Sequence, residues 1–144
     1  MKITCKKNNV FDIHKTDRVE QIFKFSDGQL NIEIEKTYNV HGVIFDKDEP
    51  WFYIYLDDED EYFDLSDTPS AYPASLFDVV DGTIPPFWEL NMDVIGNFDG
   101  VMLGFKEWVT NHRFFFYAVE GRQEELEIMN KYRQKVIQIG VEQP

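Results

Sequence analysis

From Arg122 to Gln138 the apolar residues return every three or four positions. At about 100° per residue, Leu126, Ile128, Met129, Tyr132, Val136, Ile137 and Ile139 fall in one half of a helical wheel. Glu124, Glu127, Lys131, Gln134, Lys135 and Gln138 fill the other half. Glu124 and Glu125 open the segment and Lys135 lies near its end, the order a helix dipole favours. Glu127 and Lys131 stand at i,i+4 spacing, and Gly140 predicts a C-terminal stop. An apolar arc this wide needs a broad surface to lie on, so the rest of the chain must supply a sheet.

The pattern upstream is that of strands. Met1 to Lys7 and Val10 to His14 read as short extended pieces, and Val19 to Phe25 suits either strand or helix. Asp27-Gly28 marks a tight turn, after which Leu30, Ile32 and Ile34 alternate with Asn31, Glu33 and Glu35, predicting a hairpin with a half-buried strand. Val40 to Phe45 is a further apolar run. In Trp51 to Leu56, Phe52, Ile54 and Leu56 share one side and Trp51, Tyr53 and Tyr55 the other. Pro73 suits one or two helical turns over Ala74 to Val80. Ile84-Pro85-Pro86-Phe87-Trp88 is held extended by its prolines and predicts an edge strand through Met92. Gly96, Gly100 and Gly104 punctuate Val94 to Trp108 as in twisted or bulged strands. Arg113 to Val119, with Phe114-Phe115-Phe116-Tyr117, reads as a central strand buried on both faces.

The expected fold is therefore α+β: one domain over 1–144, an antiparallel twisted sheet of about six strands, and the C-terminal helix across one face. At 144 residues, area scaling buries about two-thirds of the unfolded surface, enough for one core without staples. A single cysteine, Cys5, rules out an intrachain disulfide framework. No apolar run reaches the roughly 18 residues of a membrane span. Met1 to Asp12 lack an apolar signal core, which predicts a cytoplasmic location.

Charge narrows the partner. The net charge is −13, which disfavours nucleic acid and anionic membranes. Residues 37–112 hold sixteen acidic and two basic residues, net −14, while 1–36 and 113–144 are nearly balanced. The densest run is Asp57, Asp58, Glu59, Asp60 and Glu61, continued by Tyr62, Asp64 and Asp67. Crowding like charges costs stability through self-repulsion. One reading is a solvated loop that aids solubility; the other is a surface built to meet a basic one. The neighbouring Trp51, Tyr53, Tyr55 and Tyr62 favour the second, because a solubilising loop needs no aromatics. The Trp51/Tyr53/Tyr55 face is either covered by another element, the plainer reading, or open to a partner.

Other chemistries find less support. His14, His41 and His112 are scattered, with no His-x-x-x-His pair for zinc, and nothing around Cys5 marks an activated thiol. Asp57 to Glu61 lacks EF-hand spacing, and Asn97-Phe98-Asp99-Gly100 offers one carboxylate. Paired carboxylates with aromatic platforms such as Trp51 or Trp88 suit a small sugar- or cation-binding module or hydrolase, but no pair is defined. No catalytic motif, metal site or cofactor site stands in the sequence, and a non-enzymatic role is expected.

Small size, one α+β domain and a concentrated acidic and aromatic segment resemble, by overall profile, the bacterial immunity proteins of polymorphic or contact-dependent toxin systems. The resemblance rests on no defining motif, so no residue role is transferred by it. It implies a cytoplasmic protein that neutralises a cognate basic toxin domain, often a nuclease, with acidic residues guiding encounter and aromatic anchors supplying buried contact.

Overall fold

The computed structural model describes residues 1–9, 30–46, 49–57, 68–92, 101–111 and 113–142, with side chains through Gly140. Among these described residues eight strands and three helices follow one another: β1 (Lys2–Cys5), β2 (Thr37–Asn39), β3 (Gly42–Phe45), β4 (Pro50–Ile54), β5 (Ser70–Pro73), β6 (Phe77–Asp81), β7 (Trp88–Asn91), β8 (Val101–Phe105), α1 (Lys106–Thr110), α2 (Phe114–Val119) and α3 (Gln123–Glu142). A 3-10 turn, Ala74–Leu76, separates β5 from β6. The class is α+β. The strands form two antiparallel sheets, one of three strands in the order β2-β1-β6 and one of five in the order β5-β4-β3-β8-β7. A single sheet of about six strands thus gives way to two sheets.

The chain changes sheets at the 3-10 turn. Pro73 ends β5, and the turn buries Leu76 completely and aims Phe77 at β4, where its ring meets Phe52 edge-on at 6.1 Å. The short apolar stretch read as a helical turn is therefore mostly strand β6, paired with β1. β4 is sandwiched as its alternation requires. Phe52 faces the small sheet, while Tyr53 packs on Trp108 of α1 at 4.7 Å and Phe115 of α2 at 5.3 Å. Trp108 and Phe115 stack at 5.1 Å with planes 7° apart. A Cβ on Gly42, opposite Tyr53 in the register, would sit 3.1 Å from Trp108. The ring lies close against the Gly42 backbone, where a side chain would have to push it back by a few tenths of an ångström.

Three further expectations are corrected. Phe114 to Tyr117 is the helix α2, not a central strand: Phe114 and Ala118 are buried while Phe116 is 59% exposed, which a strand buried on both faces forbids. Asn111 starts it, its Oδ1 accepting from the Arg113 amide and its carbonyl from the Phe114 amide. Leu30 and Ile32 are buried as the alternation predicts, but no strand forms there. Glu35 adopts φ 71° and donates its amide to the Cys5 carbonyl, which ends the extension and leaves Ile34 exposed. Finally, α3 passes through Gly140 to Glu142. Gly140 marks a close crossing instead of a stop, since a Cβ there would stand 3.2 Å from Asn39 Oδ1 and 3.3 Å from Lys2 Cε. Lys2 Nζ donates to the Gly140 carbonyl at 3.1 Å. Asp27-Gly28, Val10 to His14, Val19 to Phe25, and Gly96 and Gly100 lie outside the described residues.

The edge strand through Met92 appears as β7, at one margin of the large sheet. The C-terminal helix packs as its wheel demands: Leu126, Met129 and Val136 are buried. Tyr132 lies flat on Phe105 at 4.2 Å with planes 4° apart. One continuous core runs from Ile3 and Cys5 through β4 to Met129.

Candidate protein-interaction site

The acidic connection belongs to the β4–β5 hairpin. Ile54 lies opposite Ser70, so the two limbs that carry residues 57–67 start from hydrogen-bonded neighbours. Asp57, the first of the seven acids between 57 and 67, thereby stands at one end of the large sheet. The outgoing limb is held from two directions by cations that bind its carbonyls. Lys36 Nζ donates to Leu56 O at 3.0 Å, and Arg133 Nη2 donates to Asp57 O at 2.8 Å.

Arg133 is the unusual member. It is 4% exposed, with its guanidinium carbon 3.8 Å from the centre of the Tyr55 ring. His41, also buried, meets the same ring edge-on at 4.7 Å and gives its amide to the Tyr53 carbonyl at 2.8 Å. A desolvated cation needs compensation, and a π face plus a carbonyl provides it. Arg133 stands seven residues after Leu126 and four after Met129, on the apolar stripe of α3. A charge at a core position of a helical stripe was the available sequence signal for it.

The aromatic candidates are covered. Trp51, Tyr53 and Tyr55 are 1%, 8% and 4% exposed. Trp108, Phe115 and Arg133 lie over the Tyr53 and Tyr55 rings. The covered reading of this face is the one observed, and these three side chains present no open surface. Leu56 and Asp57 are exposed immediately after them. Asp58, Glu59, Asp60, Glu61, Tyr62, Asp64 and Asp67 lie outside the described residues.

Beside the returning limb runs an open groove of about 430 Å³, lined by Thr68, Pro69, Ser70 and Ala71 on one side and by Phe115 and Val119 of α2 on the other, with Tyr53 and Tyr72 beneath. Sequence reasoning missed it because it depends on α2 being a helix.

Nothing described converges as a catalytic set. Cys5 is fully buried, its thiol points at the Lys7 carbonyl at 3.3 Å, and burial raises its pKa, so it stays an unreactive thiol. Among the described residues no cluster of His, Cys, Asp and Glu could hold a metal ion, and no helix is long and apolar enough to cross a membrane. Tyr132 donates to Glu107 Oε1 at 3.0 Å; burial first, then that carboxylate, pushes its phenol up to about 12. No family model matches the chain, and neither a curated protein nor a solved structure shows significant similarity to it.

Proposed function

We propose that this chain is a non-enzymatic acidic binding protein that neutralises a basic protein partner, as an immunity protein blocks a cognate toxin domain. The observation that supports it most is the way the acidic connection is held. Lys36 and Arg133 grip main-chain carbonyls at its base. A solvated loop requires no buried arginine beneath it, whereas a surface that must present charge to a partner gains from a fixed origin. Carboxylates concentrated at one end of a sheet speed encounter with a basic surface and set partner choice.

The test is protection. Basic toxin domains, taken from genes adjoining that of this chain or, where none adjoins it, from a panel of bacterial nuclease toxins, are expressed alone and together with this chain. Restored growth, accompanied by association that slows steeply with salt, supports the reading. Growth arrest that persists, or association indifferent to salt, overturns it.

A further inference from the structure

We infer that the free edge of β5 and the groove beside it receive an extended segment of a basic partner by strand addition. β5 is the margin of the five-stranded sheet, and no described residue pairs with its outer side. The orientation of that margin follows from β4. The Tyr53 carbonyl accepts from the His41 amide, so the polar backbone groups of Tyr53 point toward β3. Ala71, directly opposite Tyr53, consequently has its own N–H and C=O aimed away from β4, onto the open edge. Pro73 falls on the same side two residues on and offers that edge a carbonyl but no N–H, so Ala71 is the donor an added strand would use there.

The groove supplies the other half of the recognition. An added strand would lie between Ala71 and α2 and set alternate side chains against Phe115 and Val119. Val119 is 58% exposed, so apolar surface remains there for a partner to cover. Backbone bonds then give affinity and alternate pockets give selectivity, as in other strand-addition sites. Charge selects the occupant. Thr68, which lines the groove, is bonded to Asp67, the last of the seven acids of the connection. A second copy pairing edge to edge would join two chains of net charge −13, which self-repulsion opposes. An extended segment alternating apolar residues with lysine or arginine satisfies edge, groove and charge at once. The inference rests on the acidic-binding reading, but it fails separately from it.

The experiment titrates the full chain with a synthetic peptide of alternating lysine and valine, following backbone amide resonances. The same peptide with every backbone amide N-methylated, which has no donor for a ladder on either side, is the control. The expected result is a shift and exchange protection of the Ala71 amide, with shifts at Phe115 and Val119, from the unmethylated peptide alone. Ala71→Pro removes the outward N–H at a site that donates to nothing among the described residues. It should weaken that peptide about fivefold or more, at unchanged melting temperature. Binding of both peptides alike without protection of Ala71 leaves the acidic-binding reading intact and overturns this one. A lysine–valine peptide that does not bind, or binds Ala71→Pro equally well, overturns it too. So does a dimer of the unmodified chain that Ala71→Pro dissociates, because a second copy would then own the edge. Should Ala71→Pro fail to fold, the amide protection in the unmodified chain decides alone.

Discussion

Trp51 to Tyr55 and Leu56-Asp57, where the acidic run begins, are adjacent in sequence, yet they are solvated in opposite ways. Every side chain from Trp51 to Tyr55 is at most 8% exposed, and Leu56 is already at 38%. Within one residue the chain leaves a packed aromatic core and enters its most charged stretch. Lys36 and Arg133 stand at that border and bind its carbonyls. The side chains that hold the fold are thereby separated from the stretch that carries the charge. Polar-tipped aromatics beside an acidic run look like an interface in sequence, but here Tyr53 and Tyr55 have become the floor on which helices rest.

The most forceful way to break this contrast is to remove the cover. Trp108 is 3% exposed and touches Tyr53, Phe105 and Phe115. Trp108→Ala should cost about 3–5 kcal/mol in urea unfolding, at the upper end because the opposing Gly42 has no side chain to fill the gap. Leu126→Ala, at 5% exposure on the buried stripe of α3, should cost about 2–5 kcal/mol. A loss under about 0.5 kcal/mol for either would mean that the helices do not cover the sheet as described.

The uneven legibility of the sequence has the same origin. The last helix could be read because its stripe spans several turns, long enough for a period of 3.6 to show. β4 could be read because its two faces carry different chemistry. Helix α2 could not: in six residues a helix completes fewer than two turns, and Phe114-Phe115-Phe116-Tyr117 shows no polar face. Its helical state comes from tertiary demand, since Tyr53 and Trp108 need Phe115 over them. The groove and the covering of Tyr53 follow from that one element and were hidden with it. The acidic run was visible as charge alone, while its anchor, Arg133, was hidden by the habit of placing arginine on the wet face of a helix.

Arg133 sharpens the contrast at the border. Arg133→Met keeps the volume on Tyr55, gives up one bond to the Asp57 carbonyl and relieves a buried cation. Those effects oppose each other, so global stability should change by no more than about 1 kcal/mol. Local order should change more: amide exchange at residues 54–57 should rise about tenfold, because a charged donor to that carbonyl contributes about 1.5–3 kcal/mol. Unaltered exchange would show that the connection is not held from α3.

Alkaline titration probes the helix side without mutation. The phenol of Tyr132 is raised from 10.0 to about 12 in the folded chain. A raised folded value means that the neutral phenol is the form the fold prefers. Its contribution is complete below pH 10.0 and is lost as pH climbs toward about 12. Melting temperature should fall across that window, and tyrosinate absorbance should show one residue ionising late. Glu107→Gln should bring the titration down and narrow the window, because it removes the neighbouring carboxylate. A Tyr132 that ionises with the exposed tyrosines would place it outside the helix packing.

The smallest expected effect on stability is the most telling about function. Changing Asp57, Asp58 and Asp60 to Asn together with Glu61 to Gln removes four of the seven charges between 57 and 67. Asp57 is exposed and holds α3 through its main-chain carbonyl, which the substitution leaves in place. Folding stability should therefore stay within about 0.5 kcal/mol, tilted toward a gain as like charges are thinned. Association with the lysine–valine peptide should respond in kinetics: a slower on-rate, a flatter dependence on salt, and an off-rate nearly unchanged, since long-range attraction acts before contact and is screened within about 10 Å at moderate ionic strength. Ala71→Pro should act on the off-rate, because it removes a contact made only after docking. If the neutralised chain loses several kcal/mol of stability while binding as before, the charges serve the fold, and the division drawn between Tyr55 and Asp57 is wrong.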